Sequence, residues 1–270
     1  MILPSLYPII DFSCFAAQPD PIMAIVGYAE ELIAAGATLI QLRDKSQPEQ
    51  PRRFLSCARE LRRVTLDRAT LIINDRVDIC LAADADGVHL GQDDLSPRAA
   101  WKIFDSVSHP LRSMEAQRDQ RQSGSQRMAH PGESSVREKI GLSEQSSRPE
   151  DKGHGEGSAI EERETTRKIL IGFSTHNLAQ VREADTLPID YIAIGPVFAT
   201  GSKANPDPVV GLDGVREARR VTKKPLVAIG GITRQNCSQV KAAGADAVAV
   251  ISDLLESPAK AVADFLRVLG

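Results

Sequence analysis

Residues 71–94 have the sequence LIINDRVDICLAADADGVHLGQDD. Two short apolar runs in this stretch each lead to an aspartate, Asp75 and Asp94, and a helical pattern from Val77 to Ala83 lies between them. Strands buried on both faces have such continuous apolar runs, which favours a parallel sheet. A carboxylate that follows a parallel strand lies at the rim where barrels of this kind carry their chemistry. The stretch therefore predicts a strand–helix unit with acidic groups at one end of the sheet.

The same unit recurs about eight times along the chain, with similar small-residue helix endings in AAGA (34–37) and AAGADA (242–247). The predicted strands are Tyr7 to Asp11, Leu39 to Arg43, Thr70 to Asn74, Gly87 to Leu90, Ile169 to Phe173, Tyr191 to Gly195, Leu226 to Ile229 and Ala247 to Ile251. The predicted helices include Pro21 to Ala35, Pro51 to Thr65, Val77 to Ala83, Pro97 to Phe104, Leu178 to Ala184, Leu212 to Val221 and Asn236 to Ala243. This alternation predicts an α/β fold, a (β/α)8 TIM barrel, rather than an open sheet.

Residues 105–167 depart from this pattern, because they contain no aromatic residue and are dominated by Ser, Gln, Glu, Arg and Gly. Such a segment cannot bury enough apolar surface to offset its ordering entropy. We interpret 1–270 as a single barrel domain and 105–167 as a low-complexity, disordered insertion between helix 4 and strand 5. An αβ connection of this kind lies on the face opposite the active site.

Composition and charge exclude several classes of function. A net charge of -3 argues against a nucleic-acid surface, which needs clustered Lys and Arg. No apolar run approaches the length of a membrane span, and the N-terminal MILPSLYPIID lacks the basic region of a signal peptide. The four cysteines lack CxxC spacing, which argues against a zinc site or a disulfide framework. We expect a cytoplasmic protein whose partners are small molecules.

Asp75 and Asp94 follow consecutive strands, so their carboxylates are expected side by side. Paired hard oxygens suit Mg²⁺ that carries a phosphorylated substrate. Each aspartate alone has a structural alternative, since Asp75 can cap a helix that begins near Val77, and Asp94 can be one of the acids before a helix that begins at Pro97. Their joint occurrence at adjacent rims favours the metal site.

Arg43 and Lys45 occupy alternate positions in QLRDK (41–45), at the end of the second predicted strand. Alternate side chains of an extended chain lie on the same side, so the two can grip a pyrophosphate. The alternative is a solvated strand end whose charges pair with neighbouring acids. The long loop 196–212 carries Lys203 at its centre and is interpreted as a lid over the phosphates, with a plain solvent loop as the alternative.

The endings of the last two strands predict a second phosphate site. Gly230 lies in IGGIT after strand seven, and Ser252 lies in VIS after strand eight. Loops at these positions bind phosphate in many barrels, because glycine lets backbone amides approach an anion. A simple tight turn is the alternative for the glycines. Ser174, at the rim after strand five, can donate to phosphate, whereas His176 is assigned no role.

Seven motifs resemble those of thiamine phosphate synthase in kind and order: QLRDK (41–45), INDR (73–76), GVHLGQDD (87–94), GFSTH (172–176), TGSK (200–203), IGGIT (229–233) and AGADAVAVIS (243–252). The resemblance implies a transferase of thiamine biosynthesis that joins hydroxymethylpyrimidine pyrophosphate to hydroxyethylthiazole phosphate. The products are thiamine monophosphate and pyrophosphate. It implies a pyrimidine pyrophosphate site formed by Gln41, Leu42, Arg43, Asp44, Lys45, Asn74, Ser174 and Lys203. It implies Mg²⁺ at Asp75 and Asp94, and a thiazole phosphate site formed by Thr200, Gly201, Ser202, Gly230, Ile251 and Ser252.

Arg43, Lys45 and Lys203 are expected to act catalytically by stabilising charge on the leaving pyrophosphate. The main alternative is a noncatalytic or tautomerase-type relative that binds thiazole phosphate, a branch that tends to lose the metal carboxylates. A scaffold that uses the polar insertion as an interaction surface is a third interpretation. Ser202 stands where the family usually has threonine, and we expect the insertion to have no family counterpart. The sequence leaves open whether the chain forms a homo-oligomer.

Overall fold

The computed structural model describes residues 2–45, 50–108, 168–201 and 207–270. Eight strands pair in parallel, in chain order, and close into a barrel. They are β1 (Leu6–Asp11), β2 (Leu39–Arg43), β3 (Thr70–Asn74), β4 (Gly87–Leu90), β5 (Leu170–Thr175), β6 (Tyr191–Ile194), β7 (Leu226–Ile229) and β8 (Ala247–Val250). The (β/α)8 prediction is confirmed. The barrel residues, 1–105 and 168–270, form one compact unit.

A helix follows each strand within the described ranges. The helices are α1 (Pro21–Ala34), α2 (Pro51–Thr65), α3 (Val77–Ala82), α4 (Pro97–Ser108), α5 (Leu178–Asp185), α6 (Gly211–Val221), α7 (Cys237–Ala242) and α8 (Pro258–Leu269). Short 3-10 turns cover Phe12–Phe15 and Ser252–Leu254. None of these helices is long and apolar enough to cross a bilayer.

Two element boundaries differ from the sequence prediction by more than one residue. Helix α4 continues to Ser108 instead of ending at Phe104, because no glycine or proline interrupts it there. Strand β5 continues to Thr175, because Ser174 and Thr175 still pair with β6. The extension places Ser174 inside the barrel wall. Residues 105–108 of the segment predicted to be disordered belong to α4, so the prediction is wrong for them. The rest of that segment, from 109 onward, lies outside the described ranges, and its disorder stays a prediction together with the single-domain interpretation.

Strand alternation divides the core into two layers. Outward side chains such as Leu42 and Ile73 pack under the helices in the larger cluster. Inward side chains, among them Tyr7, Ile72 and Tyr191, fill the barrel in a smaller cluster. Because successive residues of a strand face opposite sides, a polar residue at an inward position lies inside the barrel beneath its open end.

Three aspartates bind neighbouring strands together at the face opposite the rim. Each comes immediately before an even-numbered strand and accepts a backbone N–H from the strand before it. The pairs are Asp86 with Leu71 N at 2.7 Å, Asp190 with Ile171 N at 2.9 Å, and Asp246 with Leu226 N at 2.8 Å. The helix ending AAGADA (242–247) therefore also joins two strands, through Asp246.

Asp190→Ala is expected to destabilise the barrel by about 1–3 kcal/mol, because it leaves the buried N–H of Ile171 without its acceptor. Urea denaturation followed by circular dichroism measures this loss. Asp213→Ala is the matched control, since its exposed carboxylate pairs with Arg216 on the surface of α6, and it should change stability by less than about 0.5 kcal/mol. Equal losses in the two variants would contradict the role given to Asp190.

Candidate active site

A cavity of about 440 Å³ opens at the carboxyl ends of the strands, and every strand contributes to its wall. Most of the site residues predicted from the sequence line it. These are Gln41, Arg43, Lys45, Asn74, Asp75, Asp94, Ser174, Thr200, Gly230, Ile251 and Ser252. The barrel thus brings together residues that are more than 200 positions apart in the chain.

Three predicted residues, Leu42, Asp44 and Gly201, do not line the cavity. Leu42 is fully buried in the outer layer, because it alternates with the inward Gln41 and Arg43. The Asp44 carboxylate forms an ion pair with Arg53 of α2. Neither residue lines the cavity. Any contact that Leu42 or Asp44 makes with a ligand there would therefore be made by backbone atoms. Gly201 is also absent from the cavity wall, and the residues at 202 and 203 lie outside the described ranges.

The acidic pair forms where two tight turns follow β3 and β4. Asp75 has a φ of 63°, in the left-handed region, and its N–H donates to the His89 carbonyl at 2.7 Å. Aspartate tolerates this conformation better than most residues. Asp94 turns back so that its Oδ2 accepts the Gly91 N–H at 2.7 Å. The two turns direct both carboxylates into the cavity.

The environment of Asp75 makes it hard to ionise. Burial raises its pKa to about 6, and a hydrogen bond with Asp94 adds to the rise, while Lys45 opposes it. Lys45 Nζ lies 2.6 Å from Asp75 Oδ2. This half-buried carboxylate pair, with one lysine, still carries excess negative charge when both acids are ionised. The two oxygen donors fit Mg²⁺, which takes one or two carboxylates and completes its shell with water and phosphate. Among the described residues, no group of three or more His, Cys, Asp or Glu side chains is placed to hold a metal ion.

Arg43 is fixed at the rim by the end of β1. Its guanidinium forms an ion pair with Asp11, whose other oxygen accepts bonds from Ser13 N at 3.0 Å and Ser13 Oγ at 2.6 Å. Asp11 is 5% exposed and caps the turn Phe12–Phe15. The guanidinium therefore has one side engaged by Asp11, and its remaining N–H groups are available to the cavity.

The two glycines after β7 have a structural requirement of their own. Gly230 and Gly231 have φ values of 99° and 64°, and a Cβ on Gly230 would lie 2.6 Å from the backbone of Pro196. Val197 N and Phe198 N donate to the carbonyls of Ile229 and Gly230. The tight turn thus holds the start of the β6–α6 loop against β7, and it also keeps the backbone at the cavity wall free of side chains.

Sequence reasoning missed three inward side chains: Tyr7, His89 and Tyr191. The Tyr7 and Tyr191 hydroxyls lie 2.8 Å apart, and Gln41 Nε2 donates to Tyr7 at 2.8 Å. His89 contacts the Tyr191 hydroxyl through Nδ1 at 3.1 Å and Ser174 Oγ through Nε2 at 2.8 Å. Burial lowers the pKa of His89 to about 4, so the ring is neutral near pH 7. The sequence feature that could have identified them is a tyrosine or histidine at an inward-facing position of a short apolar strand.

His176, to which the sequence assigned no role, lines the mouth of the cavity. Its Nδ1 donates to the Gly195 carbonyl at 2.8 Å, and Asp207 Oδ2 lies 3.5 Å from the same nitrogen. Its backbone N–H donates to Gln180 Oε1 at 2.6 Å. These contacts tie the end of β5 to both sides of the β6–α6 loop.

The family model described as thiamine monophosphate synthase matches residues 13–119 and 153–254. The chain belongs to the thiamine-phosphate synthase family. A thiamine-phosphate synthase from Koribacter versatilis (strain Ellin345) is 41% identical over 99% of this chain and 96% of its own length. One from Methanoregula boonei is 34% identical over 83% of this chain and 76% of its own length. The family prediction made from the motifs is therefore confirmed.

A solved structure supports the same assignment. Thiamine phosphate pyrophosphorylase from Pyrococcus furiosus superimposes with a TM-score of 0.65 at 26% identity, and the match covers 98% of this chain and 95% of that one. The family model leaves residues 120–152, inside the polar segment, unmatched. The expectation that the insertion has no counterpart in the family stays a prediction.

Proposed function

We propose that this protein condenses hydroxymethylpyrimidine pyrophosphate with hydroxyethylthiazole phosphate, and that it releases thiamine monophosphate and pyrophosphate. The observation that carries the proposal is the half-buried Asp75–Asp94 pair beside Lys45, at the rim of a cavity in a chain of the synthase family. The noncatalytic or tautomerase-type alternative would have no need for this pair, because it does not move a pyrophosphate.

The two halves of the cavity suit the two substrates. The β2–β4 side, with Arg43, Lys45 and the acidic pair, is suited to the pyrophosphate group. The β7–β8 side, with Gly230 and Ser252, is suited to the thiazole phosphate, since its backbone is open to an anion. Mg²⁺ held by Asp75 and Asp94 would supply further stabilisation of the charge on the leaving group.

The chain's own residues support a dissociative displacement. The aminopyrimidine can push electrons toward its methylene carbon, so that the carbon–oxygen bond breaks before the thiazole nitrogen attacks. Arg43 and Lys45 then lie where negative charge grows on the departing pyrophosphate, and Lys203 is proposed to join them from its loop. No general base is needed, which agrees with the neutral, fully engaged His89.

Apolar side chains in the cavity protect the reactive carbon. Ile9, Ala193, Val227 and Ala249 line the inner part of the cavity. Their side chains offer an ordered water no hydrogen-bond partner, and exclusion of water from the methylene carbon would disfavour hydrolysis in place of condensation. Thr200, Gly201 and Ser202 are proposed to contact the thiazole substrate at the mouth.

The decisive experiment is an assay of the purified protein with both substrates and Mg²⁺. Formation of thiamine monophosphate and pyrophosphate in equal amounts, lost on chelation of the metal, is the expected result. Binding of thiazole phosphate with no condensation would support the noncatalytic alternative and exclude the synthase assignment.

Replacement of residues 113–166 by a short polar linker is expected to leave synthase turnover largely intact. None of the proposed ligands lies in this range, and the cost of closing a surface loop grows slowly with its length. Turnover, thermal unfolding and solution mass of the variant test this expectation. Loss of turnover in a variant that stays folded, with the same solution mass, would place the segment at the active site.

A further inference from the structure

We propose that four buried side chains and the half-buried Ser174 form a directed hydrogen-bond relay that fixes which groups the cavity offers to the pyrimidine substrate. The relay runs from Gln41 through Tyr7, Tyr191 and His89 to Ser174. Its existence is a property of the substrate-free protein, whereas its effect on substrate choice rests on the proposed function. The three central residues are positioning residues, because they act through Gln41 and Ser174.

The direction of the relay follows from counting protons. Gln41 Nε2 donates to Tyr7, so the single Tyr7 hydroxyl proton is free to donate to Tyr191. Tyr191 then donates to Nδ1 of His89, its remaining acceptor among the described residues. A neutral imidazole that accepts at Nδ1 carries its proton on Nε2, which donates to Ser174 Oγ. The Ser174 proton is left for the cavity.

The rings that carry the relay are held by the sheet. Gly172 of β5 pairs with Tyr191 of β6, and a Cβ on Gly172 would lie 2.1 Å from the Tyr191 ring. Tyr191 also stacks on His89, with ring centroids 5.6 Å apart, and meets Tyr7 edge-on at 6.0 Å. These contacts hold each hydroxyl beside its present partner, so we expect the hydrogen bonds of the relay to reverse together and not one by one.

The direction has a chemical consequence at both ends. Gln41 engages Tyr7 through Nε2, so it presents Oε1 to the cavity as an acceptor, while Ser174 presents a donor. This pair suits a ring amino group at one end and an anionic or ring-nitrogen acceptor at the other. In the reverse direction Gln41 would present a donor and Ser174 an acceptor, which suits an oxo group instead. We infer that the relay selects an aminopyrimidine over its oxo counterpart.

The imidazole of His89 reports the direction without any substrate. Long-range proton–nitrogen correlation spectra of the ¹⁵N-histidine-labelled protein, assigned by the signals lost in His89→Gln, distinguish the two tautomers. We expect a protonated Nε2 and an unprotonated Nδ1. A protonated Nδ1 with an unprotonated Nε2 would overturn the proposed direction.

Gln41→Glu tests whether the relay is coupled from end to end. An ionised carboxylate can only accept from Tyr7, so every bond should reverse and the His89 proton should move to Nδ1. The ¹³C shift of the new carboxyl shows the pH at which it is ionised, and the tautomer is read there. Gln180→Glu is the matched control, because it adds the same charge at the cavity mouth and keeps the acceptor for His176 N. An unchanged tautomer beside an ionised carboxylate would exclude the coupling.

Substrate discrimination is tested with Tyr191→Phe, which interrupts the relay and keeps the ring. We expect the preference for the aminopyrimidine pyrophosphate over its oxo analogue, measured by competitive binding, to fall by about tenfold. Tyr28→Phe removes a hydroxyl from a buried tyrosine that packs on Phe15 away from the cavity, and it should leave the preference unchanged. An unchanged preference in Tyr191→Phe would overturn the role in selection. Failure of the proposed function would appear separately, as a wild-type protein with the expected tautomer and no condensation activity.

Discussion

Asp75→Asn is expected to lower synthase turnover by about a hundredfold or more while it raises the thermal stability of the metal-free protein. The loss of turnover follows from removing one of the two proposed metal ligands, since metal ions supply several kcal/mol of charge stabilisation in such reactions. The gain in stability follows from the raised pKa of Asp75, which shows that the folded site disfavours the ionised carboxylate. When a residue serves function but destabilises the fold, its replacement lowers activity and raises stability.

The sign of the stability effect depends on pH. The pKa of Asp75 rises from 3.8 to about 6 on folding, so between these values the folded state binds more protons than the unfolded state. Stability from this group is therefore present at low pH and is lost as pH rises through about 6. At pH 7 the ionised carboxylate costs about 3 kcal/mol, which asparagine avoids. The advantage of Asp75→Asn should shrink at pH 5.

Thermal unfolding in the presence of a chelator, at pH 5 and pH 7, measures this effect, and turnover is assayed with Mg²⁺. Asp78→Asn is the matched control, because Asp78 lies on the same βα unit but its pKa is lowered by Arg76. Its replacement should reduce stability slightly and leave turnover unchanged. Full Mg²⁺-dependent turnover in Asp75→Asn would exclude the metal assignment. An unfolding temperature below that of the wild type would exclude the claim that the ionised Asp75 carboxylate destabilises the folded state.

The rim of the barrel could be predicted from the sequence because its determinants are local. An apolar run followed by Asp75 or by Arg43 marks both a buried strand and the turn at its end, and the closed barrel then brings these ends together. The family motifs added the residues expected to act with each of them. Leu42 and Asp44 show the limit, because a motif transfers five consecutive residues whereas strand alternation turns only some of them inward.

The inside of the barrel could not be predicted in the same way. Tyr7, His89 and Tyr191 belong to different strands, and their bonds depend on register and on the space that Gly172 leaves. Likewise Asp190 resembles any polar residue before a strand, and its bond to Ile171 appears only once β5 and β6 are paired. Long-range pairing decides these contacts, and no local pattern encodes it.

Arg43→Lys is expected to reduce kcat/KM for the pyrimidine pyrophosphate by about ten- to a hundredfold, although the charge is unchanged. One side of the Arg43 guanidinium is engaged by Asp11, and the planar fork leaves further N–H groups for the pyrophosphate. A lysine ammonium is a single point charge, so it would stay with the buried Asp11 or leave it for the substrate. In either case one of the two anions, the Asp11 carboxylate or the pyrophosphate, loses hydrogen-bond donors.

Steady-state kinetics with each substrate, together with calorimetric binding of inorganic pyrophosphate, separates this effect from a general loss of structure. Arg219→Lys is the matched control, since Arg219 also pairs with an aspartate, Asp246, but at the opposite end of the barrel. It should lower thermal stability and leave kcat/KM within about twofold of wild type.

Because Asp11 holds the guanidinium, Asp11→Asn should also weaken pyrophosphate binding, as Arg43→Lys does. The double variant should lose less binding free energy than the sum of the two single losses. Additive losses would mean that Asp11 and Arg43 act independently, which would remove the geometric reason for an arginine at this rim.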